Sequence, residues 1–121
     1  MTDQIRRGDI FWIHAENRNG SLVYGYGRPA VIVSNDMNNL YSDVVEVVFL
    51  TTRIKKPLPT HITVYSSGRR STALCEQISS ISKSELSSYA GHITSMEEEA
   101  LNRALEVSIG LKDIRGGHGI E

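Results

Sequence analysis

Cysteine is nearly missing from this chain, with Cys75 alone among 121 residues. An intramolecular disulfide is thereby excluded, and the expected location is the reducing cytoplasm. One thiol, with His14, His61, His92 and His118 scattered at no paired spacing, makes a poor ligand set, so neither metal nor cofactor is expected. No apolar run approaches the roughly 18–20 residues of a membrane span. The opening Met1-Thr2-Asp3-Gln4-Ile5-Arg6-Arg7 lacks the apolar core of a secretory signal. Excess charge is missing too: the formal net charge is −1, so RNA would have to be held by a local patch and not by the whole-molecule field. Nor is there a phosphate-cradling glycine loop, since Gly25-Tyr26-Gly27 does not lead into a helix.

What is present reads as one small domain. The 40% hydrophobic and 22% charged fractions are those of an ordinary globular chain, and the length allows a single core. A first strand is expected over 10–14, with Ile10, Trp12 and His14 on one face and Phe11 and Ile13 on the other. Trp12 and Phe11 are assigned to the core. Residues 15–27, rich in Asn, Gly and Ser, read as a long mobile loop. Then Arg28-Pro29 stands before Ala30-Val31-Ile32-Val33, a short apolar run typical of a strand buried on both faces. Asn35 to Asn39 reads as a turn, and 44–50 as a second central strand ending on Thr51-Thr52.

A basic connector, Arg53-Ile54-Lys55-Lys56, leads to a strand over 62–65 and a hairpin turn through Gly68. Residues 72–81 follow as a strand with neither face clean, which predicts a bulge near Cys75. Ser82 and Glu85 have capping-box spacing, predicting a short helix to about Tyr89, and 91–94 a short strand. A second such box, Ser95 with Glu98, opens a helix whose apolar face is Leu101, Ala104, Leu105 and Leu111, with Gly110 near its end. Residues 1–113 are therefore taken as one β-rich domain with a C-terminal helix, and 114–121 as a disordered tail.

Candidate chemistry concentrates at predicted strand ends: Arg28, Asn35, Thr51, Thr52, Lys55, Lys56, Thr60, His61, Glu76 and Gln77. Arginine at the mouth of a rigid strand is a good clamp for phosphate or carboxylate, though surface arginines are common. Cys75, in an apolar strand context, is expected to be buried and inert. In this order Gly8-Asp9-Ile10, Arg28-Pro29-Ala30-Val31-Ile32-Val33-Ser34-Asn35-Asp36, Leu50-Thr51-Thr52, Leu58-Pro59-Thr60-His61 and Leu74-Cys75-Glu76-Gln77-Ile78 resemble the MazF/PemK toxins. The likeness runs from about residue 6 to 113 and closes on Ser108-Ile109-Gly110-Leu111.

That resemblance implies a small antiparallel Src-homology-3-like barrel of the CcdB/PemK (MazF) type. It further implies a metal-independent, sequence-specific endoribonuclease of a type II toxin–antitoxin system, acting on single-stranded RNA as a homodimer and neutralised by a MazE-like antitoxin. Cleavage in the family is by 2′-hydroxyl attack, leaving a cyclic phosphate and a 5′-hydroxyl end. The family's catalytic arginine falls on Arg28 and its catalytic threonine on Thr51. A preorganised guanidinium holds the charge that builds on phosphate oxygens, and a threonine hydroxyl orients the phosphate or the 2′-hydroxyl. The acceptor of the 2′-hydroxyl proton stays open. Arginine is an awkward base; His61 has the right chemistry, but family members without it are active, which favours a binding role. The match sets Pro59, Thr60, His61, Glu76 and Gln77 along an RNA groove, with Glu76 and Gln77 suited to base edges. Lys55 and Lys56 suit backbone phosphate, and Tyr24 and Tyr26 suit base stacking. Two other readings are a CcdB-like, non-catalytic gyrase-binding toxin and an inactive homologue that only binds antitoxin.

Overall fold

A computed structural model of the chain describes residues 4–14 and 27–113. Except for Gly27, the loop expected over 15–27, with Tyr24 and Tyr26, and the tail 114–121 lie outside the described residues. Within them the strands are β1 (Asp9–Ile13), β2 (Arg28–Ile32), β3 (Val44–Thr51), β4 (His61–Val64), β5 (Ser71–Ser82) and β6 (Leu86–His92). Two helices, α1 (Asp36–Tyr41) and α2 (Ser95–Ser108), and a 3-10 turn at Lys83–Glu85 complete the order. All strand pairs are antiparallel, in the order β4-β5-β3-β2-β1-β6. The expected mainly β fold with a C-terminal helix is what forms.

The apolar runs of β2 and β3 are explained by two cores, one on each face of the sheet. Val31, Val48 and Leu50 join Ile10, Val64, Ala73, Cys75 and the α2 residues Leu101 and Ala104. Ala30, Ile32, Val45, Val47 and Phe49 join Ile13 in a second cluster. Alternate residues from Val47 to Leu50 thus enter opposite cores, and the polar side chain of Glu46, on the α2-side face before that stretch, is met by the Ser80 hydroxyl. Burying Leu101 alone contributes roughly 2–3 kcal/mol.

The ladder has two edges, β4 and β6, so the barrel is approximated by curling and not by a closed seam. The edges nevertheless meet. Gly91 on β6, at φ +153°, lies so close to the Ser66 carbonyl beyond β4 that a Cβ there would stand 2.3 Å from its oxygen. Glycine is required at this contact.

Local expectations fail where two frames compete. Asn35–Asn39 is not a turn: Asn35 caps α1, accepting from the Asn38 N–H at 2.8 Å. The helix expected over 82–89 is a single 3-10 turn, because Leu86 and Tyr89 are taken into the ladder opposite Ile13 and Phe11 of β1. On α2 the cap is Thr94 with Glu97, one residue earlier than the Ser95–Glu98 frame. Both frames have the same spacing. The Thr94 frame prevails because Glu97, reaching back to the Thr94 N–H at 3.0 Å, also accepts from the Tyr65 N–H at 2.7 Å and the Ser66 hydroxyl. Glu98 is released to pair with Arg7 at 3.3 Å. The helix ends on Ile109 with Gly110 at φ +82° just beyond, as its sequence suggests. Among the described residues no helix is long and apolar enough to cross a membrane.

Glu97 is a buried carboxylate whose desolvation pushes its pKa up. The hydrogen bonds from Ser66, from the backbone N–H groups of Tyr65 and Thr94 and from the Thr94 hydroxyl outweigh that, and hold it below the ordinary value. A lowered folded-state pKa gives stability that is complete above the unfolded value and lost as pH falls through the folded one. We expect Glu97→Gln to lower stability by about 1–2 kcal/mol at neutral pH, and by progressively less on acidification. Urea unfolding at pH 7 and pH 3 checks this; an equal loss at both pH values would contradict it.

Candidate active site

The strand register assembles the site. Ala30 stands opposite Phe49, and carrying that register two residues outward sets Arg28 opposite Thr51. Thr51 stands opposite Thr72 on β5, and Thr72 opposite Thr63 on β4. Arg28, Thr51, Thr72 and Thr63 therefore form one row across four neighbouring strands, spaced by about 4.8 Å per strand. Directly opposed residues share a face, and His61, two residues before Thr63, shares it as well.

Backbone geometry aims the arginine. Gly27, at φ +100°, packs so closely on β1 that a Cβ would lie 2.2 Å from the Ile13 carbonyl oxygen, so a side chain there would force Arg28 aside. The Arg28 guanidinium carbon sits 5.1 Å from the centroid of Phe49, and Nη2 donates to the Leu50 carbonyl at 3.4 Å. Ring and carbonyl together fix the plane of the group. Beside it, Thr51 Oγ1 accepts from the Arg53 N–H at 3.1 Å, which leaves the hydroxyl proton to donate.

Two adjoining clefts open on this row and share Thr51, Thr52 and Arg53. One, of about 290 Å³, is lined by Arg28, Arg53 and Arg69, with Thr51, Ser67 and Trp12. The other, of about 230 Å³, is lined by Arg53, Lys55 and Arg70, with Thr51 and His61. Neither lining includes a carboxylate among the described residues. In a chain of net charge −1 this is a local concentration of positive charge.

A bulge supplies the remaining cluster. Leu50 and Val48, one residue apart on β3, face Ala73 and Ile78, which are four residues apart on β5. The excess lies at the position anticipated near Cys75, and it turns Glu76 and Gln77 out of the ladder. The Cys75 N–H donates instead to the Thr60 carbonyl at 3.0 Å. Glu76 then accepts from the Thr60 hydroxyl at 3.0 Å and contacts His61 Nε2 at 3.0 Å. Desolvation is the largest single influence on the Glu76 carboxyl and acts upward. The bonds from His61, from its own backbone N–H and from Thr60, with the His61 charge, outweigh it and leave the pKa below the ordinary value.

Of the residues singled out from sequence, Arg28 and Thr51 share one cleft, Thr51, Lys55 and His61 the other, and Thr60 and Glu76 lie beside His61. Lys56, Pro59 and Gln77 are exposed nearby and line neither cleft. Asn35 is not brought in: it lies past the opposite end of β2 from Arg28, and its side chain serves α1. Trp12 corrects the core assignment, being 41% exposed on the cleft wall, whereas Phe11 packs edge-on against Tyr89 at 5.7 Å. Arg69 and Arg70 were legible only as part of a hairpin turn; their adjacency in that turn is the signal for a cationic cleft wall. No group of three or more His, Cys, Asp or Glu among the described residues is arranged to hold a metal ion.

Cys75 is fully buried, and burial, with the Glu76 charge second, pushes its thiol up to about 12. We expect the native protein to resist an aromatic disulfide reagent at pH 8 and to take up one equivalent only after unfolding in guanidinium. Rapid native labelling would show a reactive thiol.

The chain matches the model of the PemK-like, MazF-like toxins of type II toxin–antitoxin systems over residues 6–109. It is 34% identical over 116 residues to an endoribonuclease MazF of Staphylococcus saprophyticus, covering 92% of this chain and 96% of that protein. In fold it is similar to a mycobacterial endoribonuclease solved with its cognate antitoxin, at TM-score 0.76 and 24% identity, covering 90% of this chain and 98% of that one. It is also similar to the MazE–MazF complex of Deinococcus radiodurans, at TM-score 0.72 and 16% identity, covering 90% and 98% of the two chains.

Proposed function

The chain belongs to the PemK-like, MazF-like toxin family of type II toxin–antitoxin systems, and from that membership we propose that it is a toxin cleaving single-stranded RNA at specific sequences. The reading rests above all on one observation: Arg28 and Thr51 lie in one row and line one cleft whose other charged residues, among those described, are arginines.

The reaction is 2′-hydroxyl attack on the adjacent phosphorus, giving a 2′,3′-cyclic phosphate and a 5′-hydroxyl end without a metal ion. Phosphate seated between Arg28 and Thr51 receives two parallel bonds from the guanidinium and one from the threonine hydroxyl. Charge developing on the non-bridging oxygens is thereby stabilised in a site that needs no rearrangement. Arg53, Arg69 and Lys55 suit the flanking phosphates, and Trp12 presents an aromatic face beside them for an unpaired base. The protein acts in the cytoplasm as a homodimer, and a MazE-like antitoxin blocks the groove with a segment that folds on binding. A gyrase-binding function on the same fold would give the Arg28–Thr51 row no substrate, and is not favoured.

Incubated in EDTA with a mixed-sequence transcript, the purified protein is expected to create new 5′-hydroxyl ends at one short consensus. Arg28→Ala and Thr51→Ala each lose about 10²–10³-fold in rate. Arg28→Lys recovers little, because an ammonium lacks the planar fork. Mapping of the ends by ligation and sequencing reads the outcome. Folded protein that cuts nothing, or cuts only with added divalent metal, would overturn the reading.

A further inference from the structure

We propose that His61 is the proton acceptor for the attacking 2′-hydroxyl in this chain, oriented for that task by Glu76. The inference rests on the ribonuclease reading above and assigns the step which that reading leaves unassigned.

Geometry supports it in three ways. First, His61 lines the same cleft of about 230 Å³ as Thr51, on the same sheet face, and this cleft adjoins the one that Arg28 and Thr51 share. Second, the Glu76 contact at 3.0 Å is to Nε2. A carboxylate only accepts, so the proton sits on Nε2, and Nδ1 is the ring atom left to take a proton from substrate. Third, the pair is braced. The Thr60 hydroxyl donates to the other Glu76 oxygen at 3.0 Å, and the bulge of β5 holds Glu76 outside the ladder. The His61 side chain is 10% exposed, which suits a base shielded from bulk water. Base oriented by carboxylate is a recurrent catalytic pairing.

The step balances. The 2′-O–H proton passes to Nδ1 as the 2′-oxygen bonds to phosphorus. The bond from phosphorus to the 5′-oxygen breaks, with its electron pair on that oxygen, which takes a proton from solvent; the imidazolium later returns its own to water. Arg28 remains the charge clamp throughout. Among the described residues, the charged groups that share the His61 cleft or contact its ring are Glu76 from β5, Arg53 and Lys55 from the connector and Arg70 from the β4–β5 turn. Glu76 thus acts as a positioning residue and His61 as a catalytic one.

The test is single-turnover cleavage of a mixed-sequence transcript in EDTA from pH 5 to 9, with circular dichroism confirming that each variant is folded. Wild type is expected to gain rate with rising pH and then level off, as a general-base reaction does. His61→Ala loses 10²-fold or more, about the usual worth of a general base, and loses that pH limb. Added imidazole restores part of the rate to His61→Ala and none to Arg28→Ala. Glu76→Ala slows the reaction about tenfold while keeping the limb, and Glu76→Gln, still able to accept from Nε2, recovers most of it. A folded His61→Ala that keeps the wild-type pH limb, or that imidazole does not rescue, overturns the assignment while the ribonuclease reading stands. Absence of cleavage by wild type overturns both.

Discussion

The pairing of β2 with β3 is the constraint from which the rest follows. Val31 enters one core and Ala30 and Ile32 the other, while Val45, Val47 and Phe49 alternate with Val48 and Leu50 across the interface. A slip of one residue would exchange every side chain between faces, and the two cores differ in size and lining, so the register is strongly specified. Arg28 opposite Thr51 is the continuation of this register past the point where burial ends. Apolar packing in the middle of the sheet thus sets the separation of two polar groups at its rim.

A second constraint is that β5 must serve two neighbours. It follows β3 through Val44–Val48, departs over four residues, and rejoins opposite Leu50 and Thr51 while pairing with β4. That departure carries Glu76 to His61. The other side of the site is tied down by α2, because Glu97 closes its own helix cap and holds Tyr65 and Ser66 at the start of the turn bearing Arg69 and Arg70. Helix capping and cleft wall are therefore mechanically linked through one carboxylate.

Much of this was legible in the residues. Runs at 30–33 and, apart from Glu46, 44–50 read as central strands, and the unclean alternation around Cys75 pointed to the bulge that forms there. Misreadings arose where local signals tie. Thr94 and Ser95 offer equal capping frames, and only the reach of Glu97 to a distant turn separates them. Ser82 with Glu85 is a sound start for a helix, but Leu86 and Tyr89 gain more from pairing with β1. Trp12 looked like core by composition, yet its position opposite Pro29, at the rim of the sheet, leaves one face open. Arg69 and Arg70 stand side by side in a readable hairpin turn, but only the fold of that hairpin brings them to the clefts.

Charge distribution explains how a chain of net charge −1 can hold a polyanion. Several of its carboxylates have internal partners: Glu97 at a helix cap, Glu98 with Arg7, Asp9 with His92 at 2.7 Å, Glu46 with Ser80 at 2.7 Å. Cations are left facing the two clefts. Unit charges 6 Å apart at an effective dielectric near 20 attract by about 3 kcal/mol, so a few such residues outweigh the small net charge of the whole, within a screening length of roughly 8–10 Å. Among these cations Arg28 is distinct in being held by an aromatic face and a carbonyl oxygen. Both partners are electron-rich and suit a group that stays positive, which fits a clamp and not a proton carrier. His61 has a different setting, with a carboxylate on Nε2 and a place in the lining of the second cleft. On the proposed reading, charge stabilisation and proton transfer are divided between two strands, β2 and β4, with Thr51 in the row between them.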